Sequence, residues 1–316
     1  MHVIDAIKKA KKMLISLEIT PPNKGSGIDE LYDTLDELMH FSPAFINVTY
    51  HQPQVVYEEI DGVIHRVPKR KKPGTVGICA SIANRYKVDM VPHFSCGGFS
   101  KYETEDALID LHYLGLHNIL ALRGDPPLGY NRFIPEPDGH QFAWQLVKQI
   151  NEMNQGIYRE QLEDAHPTNF CIGVAGYPEK HFESPNVEKD LQHLKHKVDQ
   201  GAHYIITQMF FDFDYFKNFV ERAREIGITV PIIPGIKPIS TVGQLAAIPR
   251  IFHVSIPNHI VDAMECARTR EQVRKIATEK IAALCRQLVD YKVPGIHFYT
   301  MGRGRATKDL LTALMG

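Results

Sequence analysis

The sequence predicts an α/β fold, a single-domain (β/α)8 TIM barrel, on three observations. Strand-like and helix-like hydrophobic periods alternate along nearly all 316 residues. Eight strands and at least eight helices can be counted, the number such a barrel needs. Polar residues end strand after strand, and a parallel barrel gathers those ends at one mouth, where active sites sit. The sharpest break is Leu122-Arg123-Gly124-Asp125-Pro126-Pro127, where a glycine permits close backbone approach and two prolines stop both pairing and helix. A doubly wound sheet permits the same alternation.

Each element follows from local pattern. Residues 13–19 read as a strand, and 28–40 as a helix with Leu31, Leu35 and Leu38 on one face. Residues 45–49 form the second strand. An insertion over 55–72 follows it, with Val55-Val56-Tyr57 and Val63-Ile64-His65 flanking the hairpin turn Asp61-Gly62. Helix 75–85, strand 88–94 and helix 106–114 come next, the last stopped by Gly115. Strand 118–122, helix 141–153 and strand 169–175 lead to Ser184-Pro185-Asn186, which opens a helix to 198. Strand 204–208, helix 215–225 and strand 230–236 follow. Residues 240–290 read as wholly helical, giving extra helices before the eighth strand at 296–300 and a last helix at 308–315. No linker or repeat divides the chain, so residues 1–316 are expected to form one domain.

Composition removes several function classes. Thirty-six basic and 37 acidic residues give a net charge of -1, so no global attraction to nucleic acid or membrane is expected. The local exception is Arg66, Lys69, Arg70, Lys71 and Lys72 in the hairpin tail. Five widely spaced cysteines without C-x-x-C suggest neither zinc nor iron-sulfur ligation and fit a reducing compartment. The apolar run after the N-terminal lysines is broken by Glu18, too early for a signal peptide, and no membrane span is read. A cytoplasmic location is the expectation. There is no G-x-G-x-x-G, Walker A or nucleophile-elbow pattern.

Glu18 is the first candidate for chemistry. Leu14, Ser16 and Glu18 share one strand face, with Ile15, Leu17 and Ile19 on the other. The apolar face packs on helices, so Glu18 is expected to point into the barrel mouth. Burial there disfavours the charged form, which would let Glu18 hold and donate a proton near neutral pH. The other reading is a structural ion pair. Asp125 and Arg123, two apart across Gly124, read either as mutual neutralisation or as recognition of a polar heterocycle. His93, Thr49 and Gln208 gain weight only by falling at matching ends of different strands. Asp190, His193, His196 and Lys197 share a polar helix; the two histidines are three apart, but no third soft ligand accompanies them, so no metal site is expected. Gly302-Arg303-Gly304-Arg305 is a fragment of a glycine-rich phosphate loop at the last helix.

Taken together these motifs resemble the 5,10-methylenetetrahydrofolate reductase family. The segments are Leu17-Glu18-Ile19-Thr20-Pro21-Pro22, Val48-Thr49-Tyr50, Pro92-His93-Phe94-Ser95-Cys96, Leu122-Arg123-Gly124-Asp125, Tyr177-Pro178-Glu179, Ile206-Thr207-Gln208-Met209-Phe210-Phe211-Asp212, Ile233-Pro234-Gly235-Ile236 and Phe298-Tyr299-Thr300, in family order. The resemblance implies FAD as cofactor, NADH or NADPH as reductant, a folate as substrate and ping-pong kinetics. It implies Glu18 and Asp125 as catalytic residues. It implies FAD contacts at Thr49, His93, Arg123, Gly124, Asp125, Ala143, Tyr177, His181, Asp190, His193, His196 and Lys197, and substrate contacts at Gln208, Gln244 and Arg303. The hairpin departs from the family pattern, and its basic run is read as an attractor for a folate's polyglutamate tail or as a solvated loop. The adenosylmethionine-sensing domain of some relatives has no counterpart expected in these residues. Alternatives are another flavin barrel of the proline dehydrogenase kind, or a folate- or flavin-binding subunit without catalysis. A homo-oligomer is left open.

Overall fold

The computed structural model describes residues 1–127 and 129–315. Its elements, in order, are α1 (Val3–Lys9), β1 (Leu14–Ile19), α2 (Asp29–Asp36), β2 (Phe45–Val48), β3 (Gln54–Ile60), β4 (Val63–Lys69), α3 (Thr75–Tyr86), β5 (Asp89–Ser95), α4 (Lys101–Tyr113), β6 (Asn118–Leu122) and α5 (Ala143–Met153). Then come β7 (Cys171–Gly176), α6 (Val187–Asp199), β8 (Tyr204–Met209), α7 (Phe213–Glu225), β9 (Ile232–Ile236), α8 (Gly243–Phe252), α9 (Asn258–Glu265), α10 (Arg270–Asp290), β10 (Gly295–Tyr299) and α11 (Gly304–Met315). Eight parallel strands close in the order β1-β10-β9-β8-β7-β6-β5-β2. The expected barrel is therefore present, with the hairpin after its second strand and three helices before its last.

Strand parity builds two cores. Leu17, Ile19, Ile46, Val48, Ile119, Ile205, Ile236 and Phe298 face outward and pack under the helices. Phe45, Val91, Leu120, Cys171, Tyr204, Ile206 and Ile233 fill the barrel's interior. Val3 joins that interior cluster, with Ile4 and Ile7 against it, so α1 plugs the N-terminal floor. Asn118 at the start of β6 fixes the plug, accepting from Val3 N at 2.8 Å and donating to Met1 O at 3.0 Å. The sequence reading missed α1, although Val3, Ile4 and Ile7 carry its apolar spacing.

Three boundaries differ from expectation for physical reasons. The helix expected over 28–40 stops at Asp36, and a 3-10 turn at Met39–Phe41 follows, bringing Leu38 and Phe41 onto the core. The helical interval before β10 is cut at His253, whose φ is +55°, and again before Thr269, the N-cap of α10. The last helix starts at Gly304 rather than 308; a Cβ there would come within 3.1 Å of Thr34 O, so the glycine lets this helix end pass close to α2.

The hairpin stands apart as a two-stranded sheet, turned by Asp61 (φ +53°) and Gly62 (φ +77°), as a type I′ turn requires. Arg66 pairs with Glu136 at 3.0 Å, and Lys72 Nζ donates to Pro21 O at 2.6 Å.

Tyr204 tests the interior packing. It is fully buried, its hydroxyl has no hydrogen-bond partner among the described residues, and a Cβ on Gly173 would sit 2.4 Å from its ring. Gly173→Ala should therefore cost roughly 1–3 kcal/mol by overpacking, whereas Tyr204→Phe should be neutral or stabilising. Urea unfolding of both variants checks this pair of expectations.

Candidate active site

The mouth is built by the same parity that fills the floor. With Leu17 and Ile19 turned outward, Ser16 and Glu18 point into the barrel, and Glu18 is only 8% exposed. Its Oε2 lies 3.4 Å from His93 Nε2 on β5 and 3.8 Å from His297 Nε2 on β10. Ser16 Oγ holds His297 Nδ1 at 2.9 Å, while Asn47 Nδ2 on β2 lies 3.3 Å from His93 Nε2. His297 Nε2 has no hydrogen-bond partner among the described residues, so it is aimed at the carboxyl group and little else. Burial pushes the His93 imidazole down to about 4, against the opposing pull of Glu18. A neutral His93 offers one donor and one acceptor at neutral pH. Among the described residues, Glu18 thus meets two imidazoles and forms no ion pair with a lysine or arginine.

Other candidates line the same rim. Thr49, just past β2, has its Oγ1 3.1 Å from His51 Nε2. Burial lowers the His51 pKa, and Lys72 from the hairpin's end lowers it further. Gln208 on β8 accepts from Met209 N at 2.9 Å through Oε1, which leaves its NH2 to donate elsewhere. Gln244 in the first turn of α8 uses Oε1 to accept from Ser240 N at 2.7 Å and from Thr241 N at 3.2 Å. Arg303 is exposed and immediately precedes α11.

A second group lies where the loop after β6 meets the loop after β7. The expected Arg123–Asp125 charge pair is not formed. Strand β6 ends at Leu122 and Gly124 adopts φ +95°, so the two-residue parity fails. Arg123 instead pairs with Glu183, and its guanidinium lies 5.4 Å over the Phe133 ring. Asp125 is exposed and holds the Gln52 amide through its backbone carbonyl at 3.0 Å. Gly124 cannot carry a side chain, because a Cβ would come 2.3 Å from Ser95 Oγ. Tyr177 packs edge-on against His181 at 4.7 Å. Asp190 accepts from Ser184 Oγ at 2.7 Å and from His181 N at 3.2 Å. Lys197 reaches Ala175 O at 2.5 Å; burial, reinforced by Arg123, lowers its pKa to about 8 despite Asp190. Ala143 opens α5. His193 and His196 are exposed on α6, and His196 stacks on Trp144 at 4.4 Å rather than facing the mouth.

Sequence reasoning missed Ser16, Asn47, His51 and His297. Ser16 and Asn47 each stand two residues before a chosen residue, and His297 two before Tyr299, so parity could have found them. Among the described residues no His, Cys, Asp or Glu cluster has metal-holding geometry, and no helix is long and apolar enough to cross a membrane. A cavity of about 430 Å³ opens at the opposite end of the barrel, beside Met1, His2, Asp89 and His117, away from this chemistry.

The lowered histidines set a pH dependence. Unfolded His93 gains a proton near pH 6.5, while the folded form resists until about 4, so the unfolded state binds more protons between those values. Stability should fall as pH drops through that window, by on the order of 3 kcal/mol from His93 alone. His51 and His181, lowered first by burial, act in the same direction. Urea unfolding across pH should show a shallower loss in His93→Asn; an unchanged slope would contradict the assignment.

Comparison with known proteins identifies the family. The profile described as methylenetetrahydrofolate reductase matches residues 3–315. A Caenorhabditis elegans protein named probable methylenetetrahydrofolate reductase (NADPH) is 34% identical over 98% of this chain and 43% of its own. A Pectobacterium carotovorum 5,10-methylenetetrahydrofolate reductase is 30% identical over 92% of this chain and 86% of its own. The chain thus spans less than half the length of the nematode relative, as it does of the yeast ones. Among solved structures, a Clostridium thermocellum protein described as binding two copies of 5-methyl-5,6,7,8-tetrahydrofolic acid shares the fold, with a TM-score of 0.57, 14% identity and coverage of 98% of this chain and 96% of that one. On the strength of the match across nearly its whole length, this chain belongs to the methylenetetrahydrofolate reductase family.

Proposed function

We propose that the chain reduces 5,10-methylenetetrahydrofolate to 5-methyltetrahydrofolate, with NADH or NADPH as reductant, bound FAD as hydride carrier and a ping-pong order. The observation that carries this reading is Glu18. Its carboxyl group is buried in the mouth between two imidazoles, with no lysine or arginine paired to it among the described residues, in a chain of this reductase family.

The residues present fit FAD by the chemistry of their donors. Arg123, Lys197 and His181 can donate to a diphosphate, and the Gly124 backbone admits close approach where a side chain is excluded. Thr49, His51 and His93 offer uncharged donors and acceptors suited to the edge of a flat heteroaromatic ring. Ala143 at the start of α5 adds little bulk, and Tyr177 and Asp190 brace the wall. When bound, the flavin supplies hydride transfer between nicotinamide and folate.

Glu18 gives its proton to the bridged ring nitrogen of the folate, opening the five-membered ring to an iminium carbon that can accept hydride. Ser16–His297 and Asn47–His93 hold the two imidazoles that orient the carboxyl group. Asp125, exposed beside Gly124, accepts hydrogen bonds from the pterin's amino groups in this reading. The free NH2 groups of Gln208 and Gln244 donate to folate carbonyl or ring acceptors, and Arg303 attracts its carboxylates. Three of the five hairpin cations are tied to Glu136, Glu58 and Pro21 O, which weakens the case for a polyglutamate tether there.

Purified protein should be yellow, bleach with NADH or NADPH, and regain colour with methylenetetrahydrofolate. Protein that cannot be loaded with FAD would refute the reading. In rapid mixing, Glu18→Gln should leave flavin reduction within about threefold and slow the folate half-reaction by roughly 10²-fold or more. Equal loss in both halves would remove Glu18 from the acid role. Lys197→Met should raise the dissociation constant for FAD about tenfold or more, read from flavin fluorescence.

A further inference from the structure

Lys237 is a buried cation without an acid. It directly follows β9, and parity fixes its direction: Ile232 and Ile236 belong to the outer core, Ile233 to the interior, and a Cβ on Gly235 would meet the Tyr299 ring. Lys237, two beyond Gly235, therefore faces the mouth. The register pairs His297 with Gly235 and Phe298 with Ile236, so Lys237 leaves β9 at the level where Tyr299 ends β10, and Tyr299 in turn pairs with Glu18. Lys237 is only 7% exposed. Its Nζ donates to Pro238 O at 3.0 Å, which leaves two of its three donors unused in that bond. Burial lowers its pKa to about 8, and the charge acting with burial is another cation, Arg303.

Holding such a charge out of water is unfavourable unless an opposite charge arrives. The surroundings favour one. Arg303 stands ahead of the twelve-residue helix α11, whose first-turn amides point toward the same end of the barrel. The loops after the last two strands of such barrels are a recurrent site for anionic oxygen groups.

We propose that Lys237, with Arg303 and the first turn of α11, seats an anionic oxygen group of a ligand in the mouth: a carboxylate of the folate's glutamate or a phosphate of the nicotinamide nucleotide. This rests on the proposed function, in which both ligands use this mouth, and adds Lys237 to it. Lysine brings to that seat a point charge that a carboxylate or phosphate satisfies and an uncharged ring does not.

The test uses flavin-loaded protein and four ligands. Dissociation constants come from the concentration dependence of flavin reduction by NADH or by reduced nicotinamide riboside, which lacks phosphate. They come also from flavin absorbance titrations with 5-methyltetrahydrofolate or with 5,6-dimethyltetrahydropterin, which lacks carboxylates. Lys237→Met should weaken NADH or 5-methyltetrahydrofolate tenfold or more while its truncated partner stays within twofold, and the ligand that weakens identifies the source. Lys237→Gln, a polar neutral replacement, should reproduce the result if the methionine variant folds poorly. All four constants within twofold of wild type would overturn the seat alone, as would truncated ligands losing as much as their parents. Wild-type protein that binds neither ligand would overturn the seat and the proposed function together.

Discussion

The structure depends on the two-residue alternation of side chains in a closed parallel barrel. Closure makes one face of every strand interior, so a single parity decides what is core and what is chemistry. Below, that face carries Phe45, Val91, Leu120, Cys171, Tyr204 and Ile233, a largely apolar floor closed by α1. Above, it carries Glu18, Asn47, His93 and His297. A one-residue slip of β1 would send Glu18 among the helices and bring Leu17 and Ile19 inside. The apolar demand of the outer core, with Leu17 and Ile19 fully buried there, is what forbids the slip.

Polar groups kept in such a place need partners, and the partners are what give the site its shape. Ser16 fixes one ring nitrogen of His297, and Asn47 lies against His93. The rings are thereby set before any ligand arrives, and both present nitrogen to the same carboxyl oxygen. Arg123 and Lys197, by contrast, rest on a carboxylate and a backbone carbonyl, partners that an incoming anion can replace. On the proposed function, acid chemistry and anion binding would rest on differently anchored parts of one rim.

Much of this was legible in the sequence. All eight barrel strands and the direction of Glu18 follow from contrasting faces, and the hairpin from Asp61-Gly62. What was not legible fell where local pattern and tertiary demand diverge. Helix α1 is only seven residues long and its lysines drew attention from Val3, Ile4 and Ile7, whose burial depends on the barrel it plugs. Arg123 and Asp125 were read as strand neighbours, but the strand ends first and Gly124 turns the chain, a feature of φ rather than of residue type. Gly304 read as part of a glycine-rich phosphate-loop fragment; its close passage by Thr34 is non-local. Lys237 acquires meaning only when the fold brings Arg303 near it.

The central claim is that the side chain of residue 18 faces the reacting nitrogen of the folate inside the mouth. A crystal structure of the FAD-loaded protein with a bound folate measures it directly. The account predicts a Glu18 carboxyl oxygen within about 2.6–3.2 Å of that nitrogen, or one water away. A folate whose ring lies against another wall, with no such path to Glu18, would contradict it.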